Sequence, residues 1–212
     1  DVLKTPLDNA SLRSKIRPLQ TQYEKGSLKD QVNSRIKNTE VIRLEHQLLI
    51  SLVDSAFDLI AMEKRVAKEI AEELLKLKPV WARLLLLEPK LLTENDHPAN
   101  QFIKLIISSS FAWNNSLGRS GEPFLHAINE QIKWLCFSYL DDAGVFNTSI
   151  KTLDRFITQH EQKAKKLENR ICDSAIGVIE AKKNRFIAIR QINRLLGEKE
   201  YPVEIIRFIQ GP

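Results

Sequence analysis

Apolar residues recur at alternating steps of three and four near the end of the chain, from about Asn147 to Leu196. This spacing puts them on one face of an α-helix and is typical of a coiled-coil seam. A helix of that length would run roughly 75 Å, much further than a compact domain of this size, so the pattern favours packing against a partner helix. The positions of this seam are Ile150, Leu153, Ile157, His160, Ala164, Leu167, Ile171 and Val178.

Shorter helical patterns divide the rest of the chain into regions. Residues 1–38 are polar and interrupted by prolines, which predicts an N-terminal arm with short helices. Residues 39–140 hold several apolar helical patterns separated by proline and glycine, which predicts a helical bundle. Residues 141–212 predict the long basic helix, capped by Asn147, and then a short terminal helix.

The strongest pattern in the predicted bundle follows Thr39 and ends at Met62. It is apolar on most of its circumference, as in a helix that is buried among others. We therefore expect it to be the central core helix. The stripe that defines it comprises Val41, Leu44, Leu48, Leu52, Ser55, Leu59 and Met62, and it is widened by Leu49, Ile50, Val53, Phe57 and Ile60.

Composition favours the all-α fold class. The chain is 43% apolar with only seven Gly and three Tyr, while helix-forming residues recur throughout. The two cysteines form no CxxC pattern, and we expect reduced thiols. The longest apolar stretches are too short to span a bilayer, and the chain opens without Met or a signal sequence. These features predict a fragment of a larger cytoplasmic protein without a membrane span.

The net charge of +5 belongs to the end of the chain, because residues 151–212 carry 13 Lys and Arg against 8 Asp and Glu. A basic helix of this kind could track a phosphate backbone. Acidic residues interleave with the basic ones and no aromatic platform accompanies them, so a solvated, salt-bridged face is the simpler interpretation. The candidate anion-binding residues are Lys182, Lys183, Arg185, Arg190 and Arg194.

Asp96, His97 and Pro98 form the clearest local start signal for a helix. Pro98 fits the first turn, where its missing N–H costs nothing, and Asp96 or His97 can cap the helix. The exposed N–H groups of a helix start can also bind an anion, which makes His97 the most interesting single residue for chemistry. Capping is the simpler role for this motif.

Other candidates for chemistry are weaker. The four histidines share no metal-ligand spacing, and we expect neither a metal site nor a cofactor. Asp54 and Asp58 lie one turn apart and could contribute to a metal site, but capping neighbouring helices or marking a solvent edge suits them better. We therefore expect a protein that is not an enzyme.

Three blocks of sequence resemble a family of uncharacterised, helical proteobacterial proteins, often mislabelled in sequence records as thymidine phosphorylase. The first block runs from Lys78 to Trp113 and includes the Asp-His-Pro-Ala motif at Asp96; the second follows Asp141, and the third begins at Pro202. The family motif continues with two arginines, where this chain has Asn100 and Gln101. The resemblance implies a helical protein, some of whose relatives carry a C-terminal domain similar to those that bind cyclic di-GMP.

The seam, the long helix and the family resemblance together predict a non-enzymatic interaction or scaffolding module of a bacterial cytoplasmic regulatory protein. Its partner would be another protein or a second copy of the chain, held through the long helix. The alternative is binding of nucleic acid or another anionic ligand by the basic helix.

Overall fold

The computed structural model describes residues 5–111, 121–197 and 201–210, and its elements are almost all helical, which confirms the all-α class. Two short strands, β1 (Thr5–Pro6) and β2 (Glu40–Val41), pair in parallel. The helices are α1 (Asn9–Ile16), α2 (Leu19–Gln22), α3 (Leu28–Asn33), α4 (Leu44–Met62), α5 (Lys68–Leu75), α6 (Lys78–Leu87), a 3-10 helix (Pro89–Leu92), α7 (Pro98–Ser110), α8 (Glu122–Ser138), α9 (Gly144–Leu196) and α10 (Val203–Gln210).

Helix α6 is the most deeply buried helix of the bundle, because every residue from Lys78 to Leu86 is buried. It packs against α1, α2 and α4. The expectation that the helix ending at Met62 occupies this central place was wrong. An isolated sequence shows how apolar a helix is, but its number of packed neighbours depends on the whole fold.

Helix α4 is buried on only one side of the wide apolar surface that the sequence predicted. Its inward residues are His46, Ile50, Val53 and Phe57. The predicted stripe faces solvent instead, and Leu48 on it is 61% exposed. Because α4 is apolar on most of its surface, its sequence offers two competing apolar faces, and the contacts with α3, α5 and α6 decide between them. The exposed apolar residues of this face are Val41, Leu44, Leu48, Leu52, Leu59 and Met62.

The N-terminal segment is part of the core, which differs from the separate arm that its polarity predicted. The residues of this segment with 0% exposure are Leu12, Ile16, Leu28 and Val32. The Thr5 N–H donates to the Thr39 carbonyl at 2.8 Å, which fixes the segment beside β2. Each short helix of this segment has few apolar residues, but these are enough to hold it in the core because nearly all of them are buried.

The beginning of α9 closes the same core. Phe146 has no exposed surface, and its ring centroid lies 5.3 Å from that of Trp81 and 6.1 Å from those of Phe102 and Tyr139. These edge-on and tilted arrangements are favourable for aromatic rings. The bundle therefore continues past residue 140, where the sequence pattern placed its end, and residues 1–159 form one compact unit.

A buried charge network holds the turn before α9. Asp141 accepts from Arg83 and from Arg13, each at 2.6 Å, and adopts a positive φ of 68°. Asp is among the few non-glycine residues that tolerate this conformation. Asp142 then accepts from the Gly144 N–H at 2.8 Å, so α9 begins at Gly144 rather than at a cap on Asn147.

Residues 160–212 form the second compact unit. It contains the later part of α9, which continues as a helix through Gly177 to Leu196. It also contains α10, the short terminal helix that the sequence predicted, on which Val203, Ile205 and Phe208 are exposed.

Candidate functional site

The predicted seam falls into two parts along α9. Ile150 and Ile157 are half-buried against the core of the first unit, and Leu153 between them is 1% exposed. From His160 onward every position of the seam is exposed, including Ala164. Leu167, Ile171 and Val178 are 60%, 61% and 54% exposed. The candidate interaction surface is therefore the part of the seam that lies in residues 160–196.

Further apolar residues, which sequence reasoning did not include, extend this exposed face. At 100° per residue, positions three, four, seven and eleven apart share one side of a helix. Ile179 and Phe186 lie four and eleven residues after Ala175, and Ile189 lies eleven residues after Val178. All three are exposed. We define the α9 stripe as Leu167, Ile171, Ala175, Val178, Ile179, Phe186 and Ile189.

Lys182 lies inside the α9 stripe, because it is one turn after Val178 and one turn before Phe186. The alternating steps of three and four lead from Val178 to Ala181, so they pass beside Lys182 and do not place it on the seam. Arg185, three residues on, borders the same side. Both side chains are exposed. An otherwise apolar face thus carries positive charge near one end.

The five candidate anion-binding residues do not form a single surface, although all are exposed. Lys182 lies among the residues of the stripe, and Arg185 borders it. Lys183, Arg190 and Arg194 are seven and four residues apart and share a neighbouring face of the helix. The predicted cluster therefore divides into two groups that point in different directions.

A shallow depression lies in the middle of the α9 stripe. Ser174 and Ala175 form its floor because their side chains are short, and Ile171, Val178 and Ile179 stand around it with Arg170. Alternation of small and large residues on a helix face produces the holes into which side chains of another helix insert.

The motif around His97 serves as a helix cap. The His97 Nδ1 accepts from the Ala99 N–H at 3.2 Å, which makes Nε2 the protonated nitrogen, and that nitrogen lies 3.3 Å from a Glu88 carboxylate oxygen. Pro98 occupies the first turn of α7, as predicted, and Asp96 is exposed. Since His97 is buried and already satisfies the first free N–H, the motif ties the preceding loop to α7.

Asp54 and Asp58 act as ion-pair partners and caps. The buried Lys78 ammonium donates to Asp54 at 2.9 Å and to Asp58 at 2.8 Å. Asp54 also accepts from the backbone N–H groups of Leu28 and Lys29, at the start of α3. The capping role that the sequence favoured for this pair is therefore confirmed for Asp54.

Burial and hydrogen bonding act in opposite directions on this pair. Burial alone would raise the pKa of the Asp54 carboxyl, but hydrogen bonds from Leu28, Lys78 and Lys29 hold that pKa below its ordinary value. Burial likewise acts to lower the pKa of Lys78, while its hydrogen bonds to Asp58 and Asp54 raise it above the ordinary value. Both groups are therefore charged at neutral pH, and they hold α3, α4 and α6 together.

The network around Arg83 was missed by sequence reasoning. Besides Asp141, the buried Arg83 guanidinium donates to the Gln20 side chain and to the Tyr139 carbonyl, and it stacks over the Tyr139 ring. These partners are far apart in sequence, so no local spacing points to them. Burial lowers the pKa of Arg83, but the guanidinium stays protonated in proteins.

Residues 5–111, 121–197 and 201–210 contain no helix that is long and apolar enough to cross a membrane. No group of three or more His, Cys, Asp and Glu residues in these ranges is placed to hold a metal ion.

In comparison with known proteins, the family model described as the second domain of the DUF1631 proteins of unknown function matches residues 4–142. No curated protein and no solved structure matches the chain significantly. The match bears out the resemblance to an uncharacterised family, although it starts earlier than the blocks that suggested it and ends before α9. Trp113, part of the first of those blocks, lies outside the described residues.

Proposed function

Because the chain belongs to the family of DUF1631 second domains, which is described as being of unknown function, we propose its role from its own surface: it is a non-enzymatic module that self-associates through α9. The family match ends at residue 142, so the bundle is the shared part and the α9 stripe is the surface on which this proposal rests.

The observation that carries the proposal is the exposure of the α9 stripe. Phe186 is 67% exposed, and the other large members of the stripe are also exposed. Burial of apolar surface is favourable by about 25 cal/mol per Å², so a continuous stripe of this kind is stabilised by a partner. Exposed apolar patches with polar borders mark interaction sites in proteins that are otherwise soluble.

The titratable residues that looked most reactive in the sequence support a non-enzymatic role, since each contributes to holding helices. His97 caps α7, Asp54 caps α3, and Lys78 bridges two carboxylates. The free thiols support the expected cytoplasmic setting, because structural disulfides are rare in reducing compartments. Burial raises the pKa of the Cys136 thiol to about 12, which leaves it unreactive.

The proposal is tested by changing Leu167 and Ile171 to Asp in the full chain. We expect the parent to be larger than a monomer by light scattering, and the dissociation constant of the variant to rise about a hundredfold or more, because four carboxylates would enter the apolar contact. A monomeric parent chain, or a variant that associates as well as the parent, would contradict self-association through α9.

The matched control places the same two charges on the other side of the helix. Asn169 and Asn184 are exposed and lie away from the stripe, so Asn169→Asp with Asn184→Asp should leave association unchanged. Circular dichroism of both variants checks that α9 remains helical.

A second candidate function follows from the shared face of Lys183, Arg190 and Arg194. Residues 160–196 carry nine Lys and Arg against four Asp and Glu, which supports binding of nucleic acid or another polyanion. Changing the three residues to Gln should abolish a salt-dependent gel shift. The control, which changes Lys163, Lys166 and Arg170 to Gln, removes equal charge from the opposite side; an equal loss in both variants would contradict a site on this face.

A further inference from the structure

We propose that the partner of α9 is the same helix of a second copy of this chain, running antiparallel and centred on Ala175. This inference rests on the proposed function and adds the orientation and register of the pairing. It follows from the order of large, small and charged side chains along the α9 stripe.

Charge on the stripe distinguishes the two orientations. In a parallel pair in register, Lys182 lies against Lys182 of the second copy, which places two ammonium groups in one apolar contact. In an antiparallel pair centred on Ala175, each residue lies opposite the residue equally far on the other side of Ala175. Lys182 is seven residues after Ala175 and Glu168 is seven residues before it, so the two are opposite each other.

The next charged pair follows the same order. Arg190 is fifteen residues after Ala175 and Glu161 is fourteen residues before it, on the same flank as Glu168. In an antiparallel pair, equivalent flanks of the two helices face each other, so this flank brings unlike charges together twice. Like charges also come close, because Lys165 lies near Lys183 on this flank and Lys163 lies near Arg185 on the other. Both of these pairs are farther from the centre of the stripe than the unlike pairs, so the unlike pairs select the register.

Side-chain size fits the same centre. Ile171 is four residues before Ala175 and Ile179 four residues after it, so the two isoleucines of different copies meet. Phe186 is eleven residues after the centre and Ala164 is eleven residues before it. The exposed Phe186 ring of one copy therefore lies opposite the small Ala164 side chain of the other. A large side chain opposite a small one is the arrangement that fills space between packed helices.

The overlap is long enough for a stable pair. The paired region is symmetric about Ala175 and runs from Glu161 to Ile189, which is four heptads or about 42 Å. The depression formed by Ser174 and Ala175 lies at the middle of this region, where the two helices approach each other at the axis of symmetry. Short side chains at that point permit close contact of the backbones.

Disulfide trapping in the full chain tests the orientation. In a Cys172→Ser background, which removes the exposed native thiol, Glu168→Cys chains are mixed with Lys182→Cys chains and oxidised gently. The antiparallel register brings these two positions within bonding range, so the mixture should give a crosslinked dimer while each variant alone should not. A crosslinked dimer of Lys182→Cys alone would overturn the antiparallel arrangement.

An Ala175→Cys variant in the same background separates the failure of this inference from that of the proposed function. It should crosslink to itself whenever two α9 helices pair in register at Ala175, in either orientation. Crosslinking at Ala175 without crosslinking in the mixture would overturn the orientation and leave self-association through α9 standing. A parent that is monomeric by light scattering would overturn both.

Charge reversal gives an independent readout that needs no crosslink. Lys182→Glu and Glu168→Lys should each raise the dissociation constant about tenfold, because the symmetric pair contains the contact twice. The double variant restores unlike charges in the antiparallel pair and should recover most of the affinity. Lys166→Glu, on the far side of the helix, is the charge-matched control, and failure of the double variant to recover would overturn the register.

Discussion

The first three positions of the α9 seam and its last three share one helix and one spacing, yet only the first three pack against a core. Leu153 is 1% exposed and Ile171 is 61% exposed. Helical periodicity therefore identifies a face that needs a partner, but whether the partner belongs to the same chain depends on what the rest of the fold places beside it.

Helix α4 shows the same dependence on the rest of the fold when its two sides are compared. Ile50 and Phe57 are buried, while Leu48 and Leu59 on the other side are exposed, although both sides have helical spacing. Here the sequence predicted an apolar surface that includes both sides, but the stripe that defined it is the exposed side. Both faces are apolar enough to be buried, and contacts from distant segments select one of them.

The largest expected difference between the two parts of the seam concerns stability. Leu153→Ala should lower the free energy of unfolding of the first unit by about 2–5 kcal/mol, because it leaves a cavity in the core. Leu167→Ala should change it by less than about 0.5 kcal/mol at concentrations where the chain is monomeric. Urea denaturation of both variants measures the difference, and equal losses would contradict the separation of the seam into two parts.

The ion pair of Asp54 with the buried Lys78 offers an intermediate test, because it is largely shielded from water while the charged residues on the α9 stripe are exposed. The folded-state pKa of Asp54 is lowered, so its contribution is present above its ordinary value of 3.8 and is lost as pH falls through the lower folded value. Asp54→Asn should lower the free energy of unfolding by about 1–3 kcal/mol at neutral pH. The variant should also lose less stability than the parent as the pH falls.

The measurement is the unfolding free energy of the parent and the Asp54→Asn variant from neutral pH to pH 3. Asp173→Asn on the exposed part of α9 is the control, since it removes one carboxylate without touching the core or the α9 stripe. A variant that loses as much stability in acid as its parent would rule out Asp54 as the source of that loss.

The smallest effect is expected on the outer face of α4. Leu48→Ala should alter the free energy of unfolding by no more than about 0.5 kcal/mol, because the side chain is exposed and both residues favour helix. Ile50→Ala, two positions away and buried, is the matched comparison and should cost several times more. Thermal unfolding monitored by circular dichroism would show which face packs, and a larger loss for Leu48 would reverse that assignment.

Local signals in the sequence were sufficient for the fold class, for most helices and for the helix start at Pro98. Such signals act within a turn or two of the chain, as with the His97 cap. The Arg83 and Asp141 contact joins residues 58 apart in sequence and has no local sign. The burial of Leu12 and Val32 also depends on helices far along the chain, which is why a polar composition suggested an arm there.

For the candidate site, the sequence showed the repeating positions of the seam but not where the seam changes from buried to exposed. Leu167 and Ile171 were identified from spacing alone, but the same alternation leads from Val178 to Ala181 and does not place Lys182 on this face. The point at which the seam leaves the core could not be found in this way, because it depends on where the surrounding helices end.

The Phe146 ring has a consequence for how this family can be recombined in evolution. The family match ends at residue 142, yet the ring that fills the space between Trp81, Phe102 and Tyr139 comes four residues later. A gene fusion joined at that boundary would leave a cavity in the core of the domain, unless the segment fused to it supplied another aromatic side chain at this place. The bundle and the first turns of the following helix should therefore be inherited together, and Phe146 should vary in concert with the three rings around it.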